Sequence, residues 1–328
     1  MPYALRRETI LAAVVAALAL VMAPAARAAR LFLSNEIDNT ISVVSARTLK
    51  VIRTIPVGAR PRGIVLSRDG KILFICNGDA DHIEELDVKT LKEVGVLPSG
   101  PDPEFAAVGR GGKHLYVSNE NNAEAAIVDI AQARIVSEIP VGIEPEGMAV
   151  SPDNKIVVNT SETTSMAHFI DVRTHKVVAN VLVGSRPRFA EFTKDGSQVW
   201  VSSEVAGTVT VIDAKTHKIL HVIHFAVPGL SADVIQAVGL ALTKDGKYAF
   251  VALGPANRVA VVDQKTFKVL KYLLVGQRVW HLCFSGDQKW LYTANGVSND
   301  MSVIRVKSLT VVKSVPVGQS PWGVVWAP

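Results

Sequence analysis

The chain has 328 residues, of which 48% are hydrophobic and only 20% are charged. This composition is sufficient for a large apolar core and excludes a mainly disordered chain. The formal net charge of +5 falls to about +3 without the first 28 residues, and the remainder has no Lys/Arg block of the kind that binds nucleic-acid phosphates.

The first 28 residues have the pattern of a secretory signal peptide. Arg6 and Arg7 precede an apolar run from Ile10 to Ala23, and Ala26-Arg27-Ala28 offers a cleavage site between small residues. The apolar run is shorter than the roughly 20 residues that a spanning helix needs. We therefore predict export to the periplasm with cleavage near Ala28, leaving residues 29–328 as one domain. An uncleaved anchor is the alternative, and the export route, Sec or twin-arginine, stays open.

An internal repeat organises the rest of the chain. Asp87, Asp129, Asp171 and Asp213 follow one another at intervals of 42 residues, and Asp263 comes 50 residues after the last of them. A fixed period of this length predicts repeated supersecondary units. The longer interval locates an insertion of eight residues within 225–236.

Each repeat contains four short apolar segments. In the first complete repeat they are residues 62–67, 72–77, 82–87 and 93–98, and the first two are joined by a turn that contains Asp69-Gly70. Runs of this length with β-branched residues and turn residues at both ends predict strands, and Asp-Gly favours a hairpin. The repeat is therefore a four-stranded antiparallel sheet.

Seven copies predict an all-β fold, a seven-bladed β-propeller with four antiparallel strands per blade. The chain starts on a second strand and ends on an isolated first strand, residues 323–327. Pairing of this C-terminal strand with the N-terminal strands, residues 31–57, would complete the seventh blade and remove two open sheet edges. An open solenoid is the alternative, but it would not require this offset.

The sequence of the repeats resembles that of a known family. The segments IPVG (55–58) and YVSN (116–119), with the SPD-x-K turn, are similar to YVTN-repeat β-propellers. Residues 158–171, 254–263, 273–280 and 295–300 resemble exported propellers associated with PQQ-dependent (quinoprotein) alcohol catabolism. This resemblance implies a periplasmic quinoprotein dehydrogenase or cytochrome c as partner, and it implies no catalytic residue.

The loops that lead into the first strands and those between second and third strands differ from repeat to repeat, whereas the turns that join first to second strands and third to fourth strands are nearly identical. We predict that the variable side chains surround the mouth of the central channel, and that the insertion overhangs it. The candidate ligand- or partner-binding residues are Arg60, Arg62, Asp102, Glu104, Glu144, Glu146, Arg186, Arg188, Arg278, Trp280, His281 and Trp322. Two interpretations stay open: ion pairs that hold the ring together, or a recognition site that focuses charge.

Two functional hypotheses follow. The first is a non-catalytic, monomeric binding propeller without a cofactor, which recognises a periplasmic protein or a small anionic ligand. The second is a lactonase-like hydrolase that holds calcium or another divalent cation on Glu104, Glu144 and Glu146, because oxygen ligands suit such ions. No catalytic residue is assigned in either case. Cys76 and Cys283 fall on blades that are not neighbours and are predicted to be buried free thiols.

Overall fold

The computed structural model describes residues 29–328, so the predicted signal peptide lies outside the described residues. Within them, 28 strands form seven four-stranded antiparallel sheets. The prediction of an all-β, seven-bladed propeller is confirmed. No helix in residues 29–328 has the length and apolar character needed to cross a membrane.

The blades are numbered in chain order, and the strands of each are given from the channel outward. Blade 1 comprises β4 (Pro61–Leu66), β5 (Ile72–Asn77), β6 (His82–Asp87) and β7 (Glu93–Pro98). Blade 2 comprises β8 (Pro103–Val108), β9 (His114–Asn119), β10 (Glu124–Asp129) and β11 (Arg134–Pro140). Blade 3 comprises β12 (Pro145–Val150), β13 (Ile156–Ser161), β14 (Met166–Asp171) and β15 (Lys176–Leu182).

The second half of the ring follows the same order. Blade 4 comprises β16 (Pro187–Phe192), β17 (Gln198–Ser203), β18 (Thr208–Asp213) and β19 (Ile219–His224). Blade 5 comprises β20 (Leu240–Leu242), β21 (Tyr248–Ala252), β22 (Arg258–Asp263) and β23 (Val269–Leu274). Blade 6 comprises β24 (Val279–Phe284), β25 (Trp290–Asn295), β26 (Asp300–Arg305) and β27 (Thr310–Pro316).

Blade 7 joins the two ends of the described chain. The strand β28 (Pro321–Ala327) pairs with β1 (Arg30–Asn35), which continues into β2 (Thr40–Ser45) and β3 (Lys50–Pro56). The register places Leu31 opposite Trp326 and Leu33 opposite Val324. The predicted closure is therefore confirmed. It removes the edges that the first and last strands would otherwise expose.

The core consists of apolar clusters between neighbouring blades. Between blades 4 and 5, for example, Trp200 and Val211 pack against Leu240 and Val251, and all four are buried. Equivalent clusters lie at the other blade interfaces. The first strands of neighbouring blades also contact one another and surround a central channel.

The turns that join first to second strands and third to fourth strands lie on one face, here called the turn face. Their aspartates serve the turns themselves: Asp69 accepts hydrogen bonds from the Ser67 hydroxyl at 2.7 Å and the Lys71 N–H at 3.2 Å. Asp153, Asp195, Asp245 and Asp287 occupy the same position in other blades. The near-identity of these turn sequences thus has a structural cause, since Asp stabilises the turn backbone.

Candidate binding site at the channel mouth

The remaining loops form the opposite face, here called the loop face, where the channel has its mouth. Before each regular first strand, one residue adopts a left-handed conformation, with φ between +54° and +57° at Arg60, Asp102, Glu144, Arg186, Arg278 and Ser320. The carbonyl of this residue accepts the N–H of the residue that follows the second strand, at 2.8 Å for Glu144 and Glu162 and 2.7 Å for Arg186 and Glu204. The two kinds of loop are therefore held together in each of these six blades.

The loops of neighbouring blades are also joined. The Arg60 N–H donates to the Asn39 side chain at 2.8 Å, and the Arg278 N–H donates to Asn257 at 2.9 Å. Both acceptors belong to the preceding blade in the ring. These hydrogen bonds to the loop backbone hold the mouth in place independently of the side-chain ion pairs.

The first ion-pair cluster is centred on Arg60 and Arg62. The guanidinium of Arg62 lies 2.7 Å from Glu104 and 2.8 Å from Glu36. Arg60 lies 3.2 Å from Glu104 and 2.8 Å from Asp79, and it also binds Asp102. Blades 1, 2 and 7 are linked through these contacts.

The second cluster is centred on Arg188. Its guanidinium lies 2.7 Å from Glu146 and 3.6 Å from Glu204, and it also binds Glu162. Arg186 shares two of these carboxylates, at 2.6 Å from Glu162 and 3.3 Å from Glu204.

Arg278 extends the second cluster to blades 5 and 6. It donates to Glu204 at 2.8 Å and to the Gln236 side chain at 2.8 Å. Together the two clusters include a side chain from each of the seven blades.

The carboxyl groups of the mouth differ in their ionisation. Burial opposes ionisation of Glu104, but the adjacent Arg62, Arg188 and Arg60 hold its pKa below the ordinary value. Burial raises the pKa of Glu146 to about 7, although Arg188 favours its charged form. Burial and the neighbouring Glu104 and Glu146 also raise the pKa of Glu120 to about 7. Glu146 and Glu120 are therefore only partly ionised at neutral pH, which reduces the negative charge of the mouth.

An aromatic layer lies beneath the ion pairs. Trp322 is only 1% exposed, lies with its ring 4.1 Å from that of His281, and carries the Arg62 guanidinium 4.8 Å above it. His281 also contacts the rings of Phe105 and Phe189, at 5.7 and 5.2 Å between centroids. Trp322 and His281 thus fill the channel and do not anchor an exposed surface.

Trp280 lies nearer the solvent and is half-buried. Arg278 and Arg188 stack on its ring at 4.2 and 5.7 Å. This tryptophan joins the second ion-pair cluster to the aromatic layer by cation–π contacts.

All the predicted site residues except Glu144 join one of the ion-pair clusters or the aromatic layer. Glu144 instead accepts a hydrogen bond from the Thr163 hydroxyl. Sequence reasoning missed Glu36 and Glu204 as members of the mouth. A signal was present, because Glu36, Glu120, Glu162 and Glu204 all directly follow a second strand.

The acidic groups that lie closest together are Asp102, Glu104 and Glu120. One carboxylate oxygen of each lies within 4.8 Å of the others. Of the set predicted for a cation, Glu104 belongs to this group, whereas Glu146 binds Arg188. Arg60 and Arg62 contact both oxygens of Glu104, so two guanidinium groups stand where a cation would bind.

The insertion between β19 and β20 packs over the core between blades 4 and 5. Phe225, Val227 and Ile235 are buried in the apolar cluster of that interface. The loop contains a short 3-10 helix, Ala232–Val234, and its final residue, Gln236, contacts Arg278 at the mouth. Its apolar residues therefore anchor it between the blades, and its end reaches the site.

Cys76 and Cys283 are free thiols, as predicted. The prediction that both thiols are buried is confirmed for Cys76 but is wrong for Cys283, which is half-buried on β24. Burial raises the pKa of both thiols. The reactive thiolate form is therefore disfavoured at neutral pH.

No family model matches the chain, and no curated protein matches it. Several solved structures share the fold. Hydrazine synthase of Kuenenia stuttgartiensis has a TM-score of 0.77 at 24% identity, covering 84% of this chain and 92% of that one. A protein of unknown function from Desulfotomaculum acetoxidans has a TM-score of 0.78 at 14% identity, with 91% and 98% covered. The periplasmic gluconolactonase of Pseudomonas aeruginosa has a TM-score of 0.76 at 16% identity, with 92% and 99% covered. At these identities the likeness establishes the propeller fold.

Proposed function

We propose that the chain is a periplasmic, non-catalytic binding propeller whose loop face binds a protein of a PQQ-dependent alcohol oxidation system. The sequence segments similar to exported quinoprotein-associated propellers suggest the system, and the signal-peptide pattern suggests the compartment. The observation that carries the binding role is a set of exposed apolar side chains around the ion-paired mouth.

We call this set the apolar rim: Ile37, Ile143, Leu182, Val205, Leu274 and Val297. Val205 and Val297 occupy equivalent positions, two residues after a second strand, and each is 62% exposed. Leu182 ends the fourth strand of blade 3, and Leu274 ends the fourth strand of blade 5. These blades directly precede those of Val205 and Val297. Large exposed apolar residues beside charged groups are typical of protein interaction surfaces.

The charge of the mouth indicates the kind of partner. Its five arginines pair with seven carboxylates of the chain itself, namely Glu36, Asp79, Asp102, Glu104, Glu146, Glu162 and Glu204. Arg62 and Arg188 are nearly enclosed, which leaves few positive groups for a small anion. The excess of carboxylates favours a partner with a basic surface, whose approach would depend on salt.

The proposal is tested with Val205→Lys/Val297→Lys on the apolar rim. The matched control is Val94→Lys/Val312→Lys, because both residues are exposed but lie on fourth strands. Each protein is used to capture partners from periplasm of cells grown on an alcohol, and a captured quinoprotein dehydrogenase or cytochrome c is purified for titration. We expect the rim variant to bind roughly tenfold or more weakly, since each lysine removes an apolar contact and repels a partner with a basic surface.

Equal affinity of the rim variant and the control would contradict the proposal. So would capture that retrieves neither class of alcohol-oxidation protein. A wild-type complex that does not weaken between low and high salt would contradict the proposed role of mouth charge.

The lactonase-like hydrolase remains a second candidate because Asp102, Glu104 and Glu120 bring carboxylate oxygens within 4.8 Å of one another. Hard oxygen ligands suit calcium, but here the cation would have to displace Arg60 and Arg62 from Glu104. Calcium titration of the wild type and of Glu104→Gln, together with lactone hydrolysis, tests this candidate. Stoichiometric calcium binding that the substitution abolishes, with hydrolysis lost in parallel, would replace the binding proposal.

A further inference from the structure

The channel has a second compartment, which opens at the turn face and holds a cavity of about 440 Å³. All seven first strands contribute to its wall, which is mainly apolar and includes Phe105, Met148, Phe189, Phe192 and Phe284. This volume lies within the range of about 300–1,000 Å³ that is common for small-molecule sites.

The aromatic layer separates this cavity from the mouth. His281, Phe105 and Phe189 line its inner end. Trp322, which packs on His281, lies between that end and Arg62. A ligand in the cavity would therefore not touch the ion-pair clusters, and the two ends of the channel can be tested separately.

Two arginines stand at the outer end of the cavity. Arg68 and Arg110 both line it and are exposed, and neither is ion-paired with a carboxylate among residues 29–328. Arg68 Nε donates to the Gly109 carbonyl at 3.0 Å, and Arg110 Nε donates to the Ser151 carbonyl at 3.4 Å. These backbone contacts hold the guanidinium groups near each other without neutralising them. Partial burial and the neighbouring Arg110 lower the pKa of Arg68.

The cavity contains one carboxyl group, that of Glu191 on β16. The Leu242 N–H donates to it at 3.3 Å. Burial raises the pKa of Glu191 to about 8, so this group is mostly uncharged at neutral pH. The cavity is then an apolar chamber with two uncompensated positive charges at its entrance.

We infer that this cavity binds a small organic carboxylate, with the apolar body among the phenylalanines and the carboxylate on Arg68 and Arg110. Apolar walls supply affinity through burial of the ligand body. Guanidinium groups bind carboxylates through charge-assisted hydrogen bonds, and two of them discriminate an acid from a neutral molecule of the same shape. This site is independent of the function proposed for the mouth.

The test compares phenylbutyrate with phenylbutanol, which share one apolar skeleton and differ in charge. Binding to the full mature chain is measured by calorimetry at pH 7. We expect the acid to bind at least roughly tenfold more tightly than the alcohol, and Arg68→Gln/Arg110→Gln to remove this preference. The mouth variant Arg186→Gln is the matched control, because it removes an exposed arginine at the other end of the channel.

A second variant tests whether the probes bind inside the cavity. Ala107→Trp places a large side chain in the cavity wall and should abolish binding of both probes. Equal affinities for acid and alcohol would overturn the inference, as would an acid preference that survives the double arginine substitution. Failure of the wild type to bind either probe, or full binding by Ala107→Trp, would overturn it too.

The pH dependence of binding gives an independent readout. The titratable and charged groups that line the cavity are Arg68, Arg110, Glu191, His281 and Cys283. Burial lowers the pKa of His281 to about 3 and raises that of Cys283 well above its usual range, so only Glu191 changes charge near pH 8.

Ionisation of Glu191 would place a negative charge in the wall of the cavity that holds the bound acid. We therefore expect the affinity for phenylbutyrate to fall as the pH rises from 7 to 9 in the wild type but not in Glu191→Gln. A fall that is equal in Glu191→Gln, or a wild-type affinity that does not change with pH, would contradict a charge interaction between Glu191 and the bound carboxylate.

Discussion

The two ends of the central channel are built on the same seven first strands, yet the arginines are ion-paired at the mouth and not ion-paired at the turn face. At the mouth, Arg188 is 5% exposed and lies between Glu146, Glu162 and Glu204. At the turn face, Arg68 is exposed and contacts only backbone carbonyls. A buried charge without a partner costs several kcal/mol, so charges inside the mouth must pair with one another.

This difference distinguishes charged groups that are paired within the protein from charged groups that can bind a ligand. The loop face has the denser charge pattern in the sequence, but much of that charge stabilises the ring by joining one blade to the next. At the channel side of the turn face, Arg68 and Arg110 are exposed and form no ion pair with a carboxylate among residues 29–328. A variable, charged loop is therefore not by itself a ligand site, and the least paired groups indicate where a small anion would bind.

Substitution of Arg188 tests this comparison with the largest expected effect. We expect Arg188→Met to lower the free energy of unfolding by about 3–5 kcal/mol, because it leaves buried carboxylates without their cation. Urea unfolding at pH 7 measures the loss. The paired control is Arg186→Met, which contacts Glu162 and Glu204 but is 49% exposed, and for which about 0–1 kcal/mol is expected. Similar losses in the two variants would show that burial does not distinguish these arginines.

His281, in the layer between the two ends, should make stability depend on pH. Burial, Arg188 and Arg62 lower the pKa of His281 to about 3 from an ordinary value of 6.5. The unfolded state therefore binds a proton below pH 6.5 that the folded state does not, and this contribution to stability is lost as the pH falls from 6.5 towards 3. At pH 5 the loss is about 2 kcal/mol.

The variant His281→Phe should not show this loss. We expect the unfolding free energy of the variant, relative to the wild type, to be about 2 kcal/mol higher at pH 5 than at pH 8. The substitution His224→Phe on β19 serves as the control, since that side chain is exposed. A difference between His281→Phe and the wild type that stays constant from pH 8 to pH 5 would contradict the prediction.

The sequence was sufficient for the fold because the repeat is local and regular. The turns around Asp69 and its equivalents, and the offset of the first and last strands, predicted both the blades and their closure. The departures from the repeat likewise located most of the mouth, including Arg62, Glu104 and Arg188. These features can be predicted from the sequence because each depends on the position of a residue within its own repeat.

Other features depend on contacts between blades that one repeat does not contain. Trp322 is among the residues predicted to bind a ligand or partner, but it is buried because Arg62 and His281 from other blades enclose it. Glu204 pairs with Arg186 and Arg188 of its own blade, but its contact with Arg278 of blade 6 cannot be inferred from one repeat. The cavity has no signature in any single strand, since it is the space that seven sets of apolar side chains leave unfilled.

The smallest expected effect concerns the entrance to the cavity. We expect Arg68→Gln/Arg110→Gln to change the free energy of unfolding by less than about 0.5 kcal/mol, because both side chains are exposed and form no ion pair among the described residues. The same urea titration measures this, with Arg188→Met as the contrasting variant. A loss comparable with that of Arg188→Met would mean that these arginines hold the blades together. Unchanged stability combined with loss of the preference for phenylbutyrate would assign them to ligand binding, since a structural role and a binding role predict opposite outcomes in the two measurements.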